Sequence, residues 1–204
     1  MHNCIFSAHC TESYCDRSCP ILAETSYLLE RNNIGMSSQV FAESAANIDK
    51  CCKLLSDVKG FVVYKCDDTV KWAELLTYCA ICQNWKGSQL HCAVYHLKYS
   101  KYLDKLKESW SSNETTDLDY IKIWSQTSKI LIISNLDYVN FGDFESQTIL
   151  NLIQERNSAG LTTLLIAPPS GLITKSSASM LSVMLKKQID DHIYRPDRSG
   201  GGTA

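Results

Sequence analysis

The sequence predicts one α/β domain of three layers, a parallel sheet covered by helices on both faces, preceded by a small cysteine-rich and helical segment. Short, wholly apolar runs such as 130–133 alternate with longer segments of helical periodicity, which is typical of parallel strands buried on both faces. The 204 residues are enough for one such domain. Four of the ten cysteines fall within the first nineteen residues, which sets that segment apart from the rest.

Composition and charge restrict the class of protein. Apolar residues make up 45% and charged residues 21%, close to globular averages, so the chain is not disordered as a whole. A formal net charge of −2 argues against coating nucleic acid or an anionic membrane by bulk charge. The start lacks the pattern of a secretory leader, and no apolar run approaches the roughly 18–20 residues of a membrane span. We therefore expect a cytoplasmic protein without a membrane partner.

The segments before the sheet are predicted in two parts. The segment 1–20 is poor in aliphatic residues, dense in Cys, Ser and His, and ends at Pro20. A helical connector over 21–57 follows, with one helix over 21–31 and a second that Ser37 or Ser38 caps and that continues to about Asp57.

The α/β core is predicted over 58–195 and a flexible tail over 196–204. Its strands are expected at 61–64, 90–97, 130–133 and 162–167, with 193–194 as a candidate for a short fifth strand. Its helices are expected at 69–85, 100–110, 118–125, 143–157 and 176–188. Gly60 is expected just before the first strand and Gly160 just after the helix over 143–157, because glycine often separates such elements.

Several segments of this core suggest a family. The segments are Gly60–Leu75, Val94–Tyr95, Tyr102–Trp110, Lys129–Leu136 and Leu152–Gly160, in that order. Together they resemble the AAA+ core of bacterial replicative helicase loaders and the related transposition-helper ATPases (DnaC/IstB-like), over about residues 58–195. The resemblance implies a P-loop type of fold and a place in DNA replication or transposition. The alternative is an unrelated doubly wound α/β fold that never contained a P-loop.

The phosphate-binding loop of that family is degenerate in this sequence. It would occupy Lys65–Trp72, and its glycine positions hold Lys65, Asp68 and Val70. Glycines are needed there because backbone N–H groups must close around phosphate without a Cβ in the way. Only Thr69 and Lys71 match the motif, so they are the candidate cofactor-binding residues. Trp72 replaces the hydroxyl that would bind magnesium, and ATP binding is therefore not expected.

The acidic and sensor positions are also changed. A working site needs acidic residues at the end of the third strand to hold magnesium and orient water. The strand here is followed by Ser134 and Asn135, with Asp137 further on, and the sensor position reads Ala167-Pro168-Pro169. These losses predict a pseudo-ATPase, a chain with the AAA+ scaffold and no hydrolysis, and no catalytic residue is assigned.

The cysteines at the front are the candidate metal ligands. Cys4, Cys10, Cys15 and Cys19 supply four thiolates within sixteen residues. Four soft ligands on a short segment can fold around a tetrahedral zinc ion. The uneven spacing and the Cys-Pro ending leave a [4Fe–4S] cluster as the competing cofactor and free thiols as a further alternative.

The remaining cysteines and charges carry weaker signals. The other six cysteines are predicted to pack as small hydrophobic side chains, and the Cys79–Cys82 pair lies in mid-helix, where a redox pair lacks the helix N-terminus it needs. Arg156 beside Glu155 is predicted to be a surface residue in an ion pair. A patch interleaves Lys98, Lys101, Lys105 and Lys107 with Tyr95, Tyr99 and Tyr102. Such a patch can bind single-stranded nucleic acid, but neighbouring acidic residues favour a solvated helix face.

The leading functional hypothesis is a non-enzymatic accessory protein of DNA replication. It would hold a replicative helicase or an active AAA+ partner through protein–protein contacts, with the metal-bound N-terminus as the docking head, and its contact with nucleic acid would be indirect. Two alternatives remain open: an adaptor subunit for transposition or another mobile element, and an iron–sulfur or thiol redox sensor that uses the α/β domain as a scaffold.

Overall fold

A computed structural model describes residues 47, 50–84, 93–111, 115–170 and 180–194. The cysteine-rich segment over 1–20, the first connector helix over 21–31 and the tail over 196–204 lie outside these ranges and stay predictions. The division of the chain at 20, 57 and 195 likewise stays a prediction.

The described chain alternates strands and helices in the predicted order. The elements are α1, described over 50–57, β1 (Phe61–Lys65), α2 (Thr69–Asn84), β2 (Val94–Lys98), α3 (Tyr99–Glu108), α4 (Thr116–Thr127), β3 (Ile130–Ser134), α5 (Asp143–Ser158), β4 (Thr162–Ala167) and α6 (Met180–Asp191). The prediction for the second strand was too long, because Ala93 lies in a turn and β2 begins at the next residue. Gly160, with φ of +67°, takes up the left-handed conformation just after α5, as expected at a helix end.

The four strands form one parallel sheet in the order β1-β4-β3-β2. Parallel neighbours need a crossover, and the helices between the strands supply it. On the outer side of β1, Val63 pairs in parallel with Ile193 as an isolated bridge. Val63 donates one backbone hydrogen bond and accepts another there, both of 2.8 Å. The candidate fifth strand is therefore a single bridge.

Hydrophobic side chains fill both faces of the sheet. Because successive side chains of a strand point to opposite faces, Ile132 packs with α1 and α2, whereas Ile133 packs with α3, α5 and α6. Leu76 of α2 and Ile149 of α5 are fully buried in these two clusters. Burying each such side chain contributes about 1.5–3 kcal/mol to folding. The predicted α/β class with a sheet covered on both faces is confirmed for the described residues.

Arg156 lies in the interior, so the prediction of a surface ion pair was wrong. Its side chain is 1% exposed, although it lies in the last turn of α5, next to exposed residues. Its guanidinium donates hydrogen bonds to the Thr163 hydroxyl at 2.8 Å and to the carbonyls of Ser125, Ser128 and Thr162 at 2.7, 3.0 and 2.6 Å. Burial lowers the pKa of Arg156 to about 10. The sequence pattern missed this role because the acceptors come from other elements.

The described cysteines pack as hydrophobic side chains, as expected. Cys51, Cys66 and Cys79 are buried free thiols in one hydrophobic cluster, and Cys52 packs against it half-buried. Cys79 lies within α2, away from the helix N-terminus. Of the helices that the structure describes, none is both long enough and apolar enough to cross a membrane.

Candidate functional site at the carboxyl edge of the sheet

The carboxyl ends of parallel strands are where α/β folds place their ligands. The connection from β1 to α2 consists of three residues, 66–68, and it takes the place of a phosphate-binding loop. A carboxylate oxygen of Asp68 accepts a hydrogen bond of 2.9 Å from the backbone N–H of Lys71. The backbone carbonyl of Asp68 also accepts from the N–H of Trp72 at 3.0 Å. Asp68 is therefore the N-cap of α2, and its own carboxylate occupies a helix N-terminus that would otherwise attract an anion.

The two candidate cofactor-binding residues lie in the first turn of α2. Thr69 is buried at 6% exposure, and Lys71 is half-buried two residues further along. Beside them, the pKa of the Cys66 thiol is raised to about 12, mainly by burial and in part by the nearby Asp68 and Asp67 carboxylates. This thiol stays protonated and unreactive near neutral pH.

Trp72 packs back onto the end of β1. Its ring centroid lies 5.4 Å from that of Tyr64, and the Lys50 ammonium lies 5.0 Å from the Trp72 ring centroid. On the other side of Tyr64, the Tyr194 ring lies 6.5 Å away, and the Tyr194 hydroxyl donates to a carboxylate oxygen of Asp57 at 3.1 Å. An aromatic cluster therefore stands where a P-loop would present a magnesium-binding hydroxyl.

Neutral polar side chains lie at the end of β3 and just after it, where the family resemblance would place acidic residues. The buried hydroxyl of Ser134 lies 2.8 Å from Nε2 of the buried His96 on β2, and it donates to the side-chain oxygen of Asn135 at 3.1 Å. Because Ser134 has one proton and gives it to Asn135, the Nε2–H of His96 donates to the Ser134 oxygen. Asn135 has φ of +60°, a left-handed conformation that asparagine tolerates better than most residues. Asp137 is exposed in the loop beyond.

An ion pair joins the end of β2 to α2. The Lys98 ammonium lies 3.8 Å from a carboxylate oxygen of Glu74. Burial raises the pKa of Glu74, and Lys98 offsets part of that rise. No local sequence pattern marks His96 or Glu74, because only the cross-strand register and the packing of α2 bring them to this edge.

The sensor position at the end of β4 is structural in this chain. Ala167 is fully buried, and its carbonyl accepts a hydrogen bond of 3.0 Å from the N–H of Cys66. The next residue, Pro168, has no N–H to offer a ligand. With Asp68 at the helix start and no acidic residue at the end of β3, the residues present do not supply the glycine cradle or the magnesium ligands of a P-loop site.

Several side chains of the lysine and tyrosine patch make hydrogen bonds or ion pairs within the protein. Tyr99 is fully buried and its hydroxyl donates to the Glu145 carbonyl at 2.6 Å. Lys105 pairs with Glu108 at 3.0 Å and Lys107 with Glu145 at 3.1 Å. A cavity of about 310 Å³ remains between β2, α3 and α4. The paired charges and the buried ring reduce what this patch can offer to nucleic acid.

No metal centre lies in the part of the chain that the structure describes. There, no three His, Cys, Asp or Glu side chains come together in a way that could hold a metal ion. The predicted ligands Cys4, Cys10, Cys15 and Cys19 lie outside the described residues, so the zinc or iron–sulfur site stays a prediction.

Comparison with known proteins identifies the fold. The chain superposes on a solved structure described as the replication initiator DnaA bound to AMPPCP and single-stranded DNA, with a TM-score of 0.51 and 9% sequence identity. The match covers 81% of this chain and 47% of the other, so this chain spans about half the length of that structure. The chain therefore shares the fold of the matched part of that structure, which supports the α/β fold that the resemblance to AAA+ cores implies. No protein-family model and no curated protein sequence matches the chain.

Proposed function

We propose that this chain is a non-hydrolysing accessory protein of DNA replication, similar to a helicase loader, that acts by contacts with a replicative helicase or an active AAA+ partner. The observation that carries the proposal is the Asp68 cap within an AAA+ fold. A carboxylate at the start of α2 repels the phosphates that this fold would otherwise hold there. A scaffold without that chemistry can still present surfaces to other proteins.

The similarity to DnaA supports a replication role through the fold. That initiator is described with a nucleotide analogue and single-stranded DNA bound. In this chain the residues that correspond to a nucleotide site are capped or neutral, and the net charge is −2. We therefore place its contact with DNA indirectly, through the protein partner. The cysteine cluster at Cys4, Cys10, Cys15 and Cys19 is proposed as the docking head, with zinc or, in its place, a [4Fe–4S] cluster.

Nucleotide binding tests the first part of the proposal. Isothermal titration of the full chain with ATP and magnesium is expected to show no binding at millimolar nucleotide, and Lys71→Ala is expected to change nothing. Tight binding that Lys71→Ala abolishes would contradict the proposal, because it would require a phosphate site at α2.

Association with a helicase tests the second part. The full chain is expected to co-elute with the replicative helicase of its own cells and to change how much helicase loads onto single-stranded DNA. Elemental analysis of the same preparation measures zinc and iron. If the chain neither associates with helicase nor alters loading, the proposed replication role is wrong.

A further inference from the structure

A second surface lies at the opposite edge of the sheet, where the strands begin. A groove of about 580 Å³ opens there between the ends of α1 and α2 and the first residues of β3 and β4. Its floor is aliphatic and includes the buried side chains of Val58, Ile130 and Leu164. Its rim carries the ammonium groups of Lys59 and Lys129. We call this surface the basic groove.

The charge of the basic groove has one sign. None of the described residues that line it is acidic. Lys59 and Lys129 are exposed, and neither forms an ion pair with another described residue. The nearest acidic residue in sequence, Asp57, accepts a hydrogen bond from the Tyr194 hydroxyl at 3.1 Å. The side-chain charge of the described residues of the lining is therefore positive.

Two helix ends oppose this charge without cancelling it. α1 and α2 both end beside the groove, through Ser56 and Gln83. A helix C-terminus carries the equivalent of about half a negative charge. Two such ends offset about one of the two positive charges of Lys59 and Lys129, so a net positive potential remains.

The lining favours protein over nucleic acid. Single-stranded nucleic acid is held by aromatic rings on which the bases stack, and the described residues of the basic groove include no aromatic side chain. An aliphatic floor with charged groups on the rim is instead the arrangement of a peptide-binding surface, where apolar side chains enter the floor and ionic contacts form at the rim.

We propose that the basic groove binds an acidic, partly apolar segment of a partner protein, with leucine-like side chains on Val58 and Ile130 and carboxylates beside Lys59 and Lys129. Such binding adds a specific contact surface to the proposed function. It rests on that function only in the premise that the chain acts through protein contacts. It concerns an edge of the sheet that the candidate nucleotide site does not use.

A synthetic peptide tests the proposal on the full chain. The probe is a short fluorescein-labelled peptide in which glutamate alternates with leucine, and binding is followed by fluorescence anisotropy. We expect saturable binding that weakens with added salt. The double variant Lys59→Glu, Lys129→Glu is expected to bind at least about tenfold more weakly, because two attractive contacts become repulsive. Amide chemical shifts of Lys59, Ile130 and Thr162 are expected to move on titration.

Two controls separate the groove from general charge effects. Lys187→Glu reverses an exposed charge on α6, which packs on the other face of the sheet, and it is expected to leave binding unchanged. A probe with glutamine in place of glutamate is expected to bind at least about tenfold more weakly. Thermal melting of each variant verifies that it is folded.

The outcomes that would overturn the proposal are specific. The proposal is wrong if the peptide does not bind, or if it binds the folded double variant as tightly as the unchanged chain. It is also wrong if an oligothymidylate binds in the groove and the peptide does not, since the groove would then take nucleic acid. Peptide binding without helicase association would contradict the replication role and leave the groove intact, whereas the reverse result would contradict the groove alone.

Discussion

Asp68 decides what the start of α2 can hold. Its carboxylate accepts from the N–H of Lys71 at 2.9 Å, so the helix N-terminus already has an anion. A phosphate brought to the same place would meet that carboxylate at short range. At about 4 Å and an effective dielectric constant of about 20, two unit charges repel by about 4 kcal/mol. The first turn of α2 is thus stabilised by the same group that makes it a poor phosphate site.

The cap should be measurable as stability. We expect Asp68→Ala to lower the free energy of unfolding by about 1 kcal/mol, because the Lys71 N–H loses its acceptor. Urea denaturation is expected to show a lower midpoint with an unchanged m-value. The matched control is Asp67→Ala, an exposed neighbour outside the cap, for which a change within about 0.5 kcal/mol is expected. Equal losses in the two variants would mean that the cap contributes nothing of its own.

Arg156 acts at the scale of whole elements. From α5 it contacts the carbonyls of Ser125 in α4 and Ser128 just after it, and it reaches both Thr162 and Thr163 at the start of β4. These acceptors lie at the ends of elements, where carbonyls lack partners within a helix or strand. One guanidinium therefore joins three elements, and none of its described partners is a carboxylate.

Arg156→Met tests this clamp. Methionine retains apolar bulk but leaves the four acceptors, three of them in buried hydrogen bonds, without this donor. We therefore expect the free energy of unfolding to fall by at least about 2 kcal/mol. The matched control Lys187→Met, on the exposed surface of α6, is expected to change it by less than about 0.5 kcal/mol. Urea denaturation measures both. A variant as stable as the unchanged chain would mean that the cost of burying the charge equals what the clamp contributes.

At the scale of the whole molecule, the two edges of the sheet differ in character. At the carboxyl edge, polar groups are satisfied within the chain: Asp68 by α2, Ser134 by its neighbours, and Lys98 by Glu74. At the amino edge, Lys59 and Lys129 face a groove without a described acidic partner. The polar groups named at the carboxyl edge therefore have partners within the chain, whereas the two lysines at the amino edge have no acidic partner among the described residues.

The whole domain should lose stability at alkaline pH. Burial raises the pKa of Cys66 from 9.0 to about 12 and that of Tyr64 from 10.0 to about 12. Since the folded state retains these protons while the unfolded state releases them, the stabilisation is complete below about pH 9 and is lost as the pH rises toward 12. The expected slope approaches 1.4 kcal/mol per pH unit for each proton, about the value that linkage gives.

Denaturation of variants at several pH values in that range identifies which group causes the loss of stability. Cys66→Ala is expected to reduce the slope from about pH 9 upward, and Tyr64→Phe from about pH 10 upward, since each removes one titrating group. Either variant is expected to be less stable at neutral pH, so the comparison uses the slope and not the absolute value. Slopes equal to that of the unchanged chain would exclude these two groups as the cause.

The class of fold was readable from the chain because apolar runs and helical periodicity are local signals. β3 (Ile130–Ser134) has no polar residue to place on a solvated face, so its burial on both sides followed directly. The start of β2 could not be read from the sequence, since an apolar residue such as Ala93 can also lie in a turn. The single bridge at Ile193 depends on where the chain returns to β1, and no local pattern contains that information.

The sequence predicted which residues the candidate site lacks. It did not predict the contacts that take their place. The absence of glycine around Lys71 can be read from the residues alone. The cap by Asp68 needed the helix start to be located, and the His96–Ser134 contact needed the register of two strands 38 residues apart in sequence. The predicted metal ligands near the start of the sequence lie outside the described residues, so their assignment rests on their spacing alone.

Short apolar runs that alternate with segments of helical periodicity established the α/β class, because such patterns are local along the chain. The cysteine count set apart the first segment, and the balanced charge argued against binding nucleic acid by bulk charge. Tertiary structure alone settled the environment of individual polar groups. Arg156 was expected at the surface and is buried, and Lys59 and Lys129 come together from positions 70 residues apart. The reason is physical: burial and electrostatic interactions depend on distances in space, and sequence order does not determine those distances until the elements have packed.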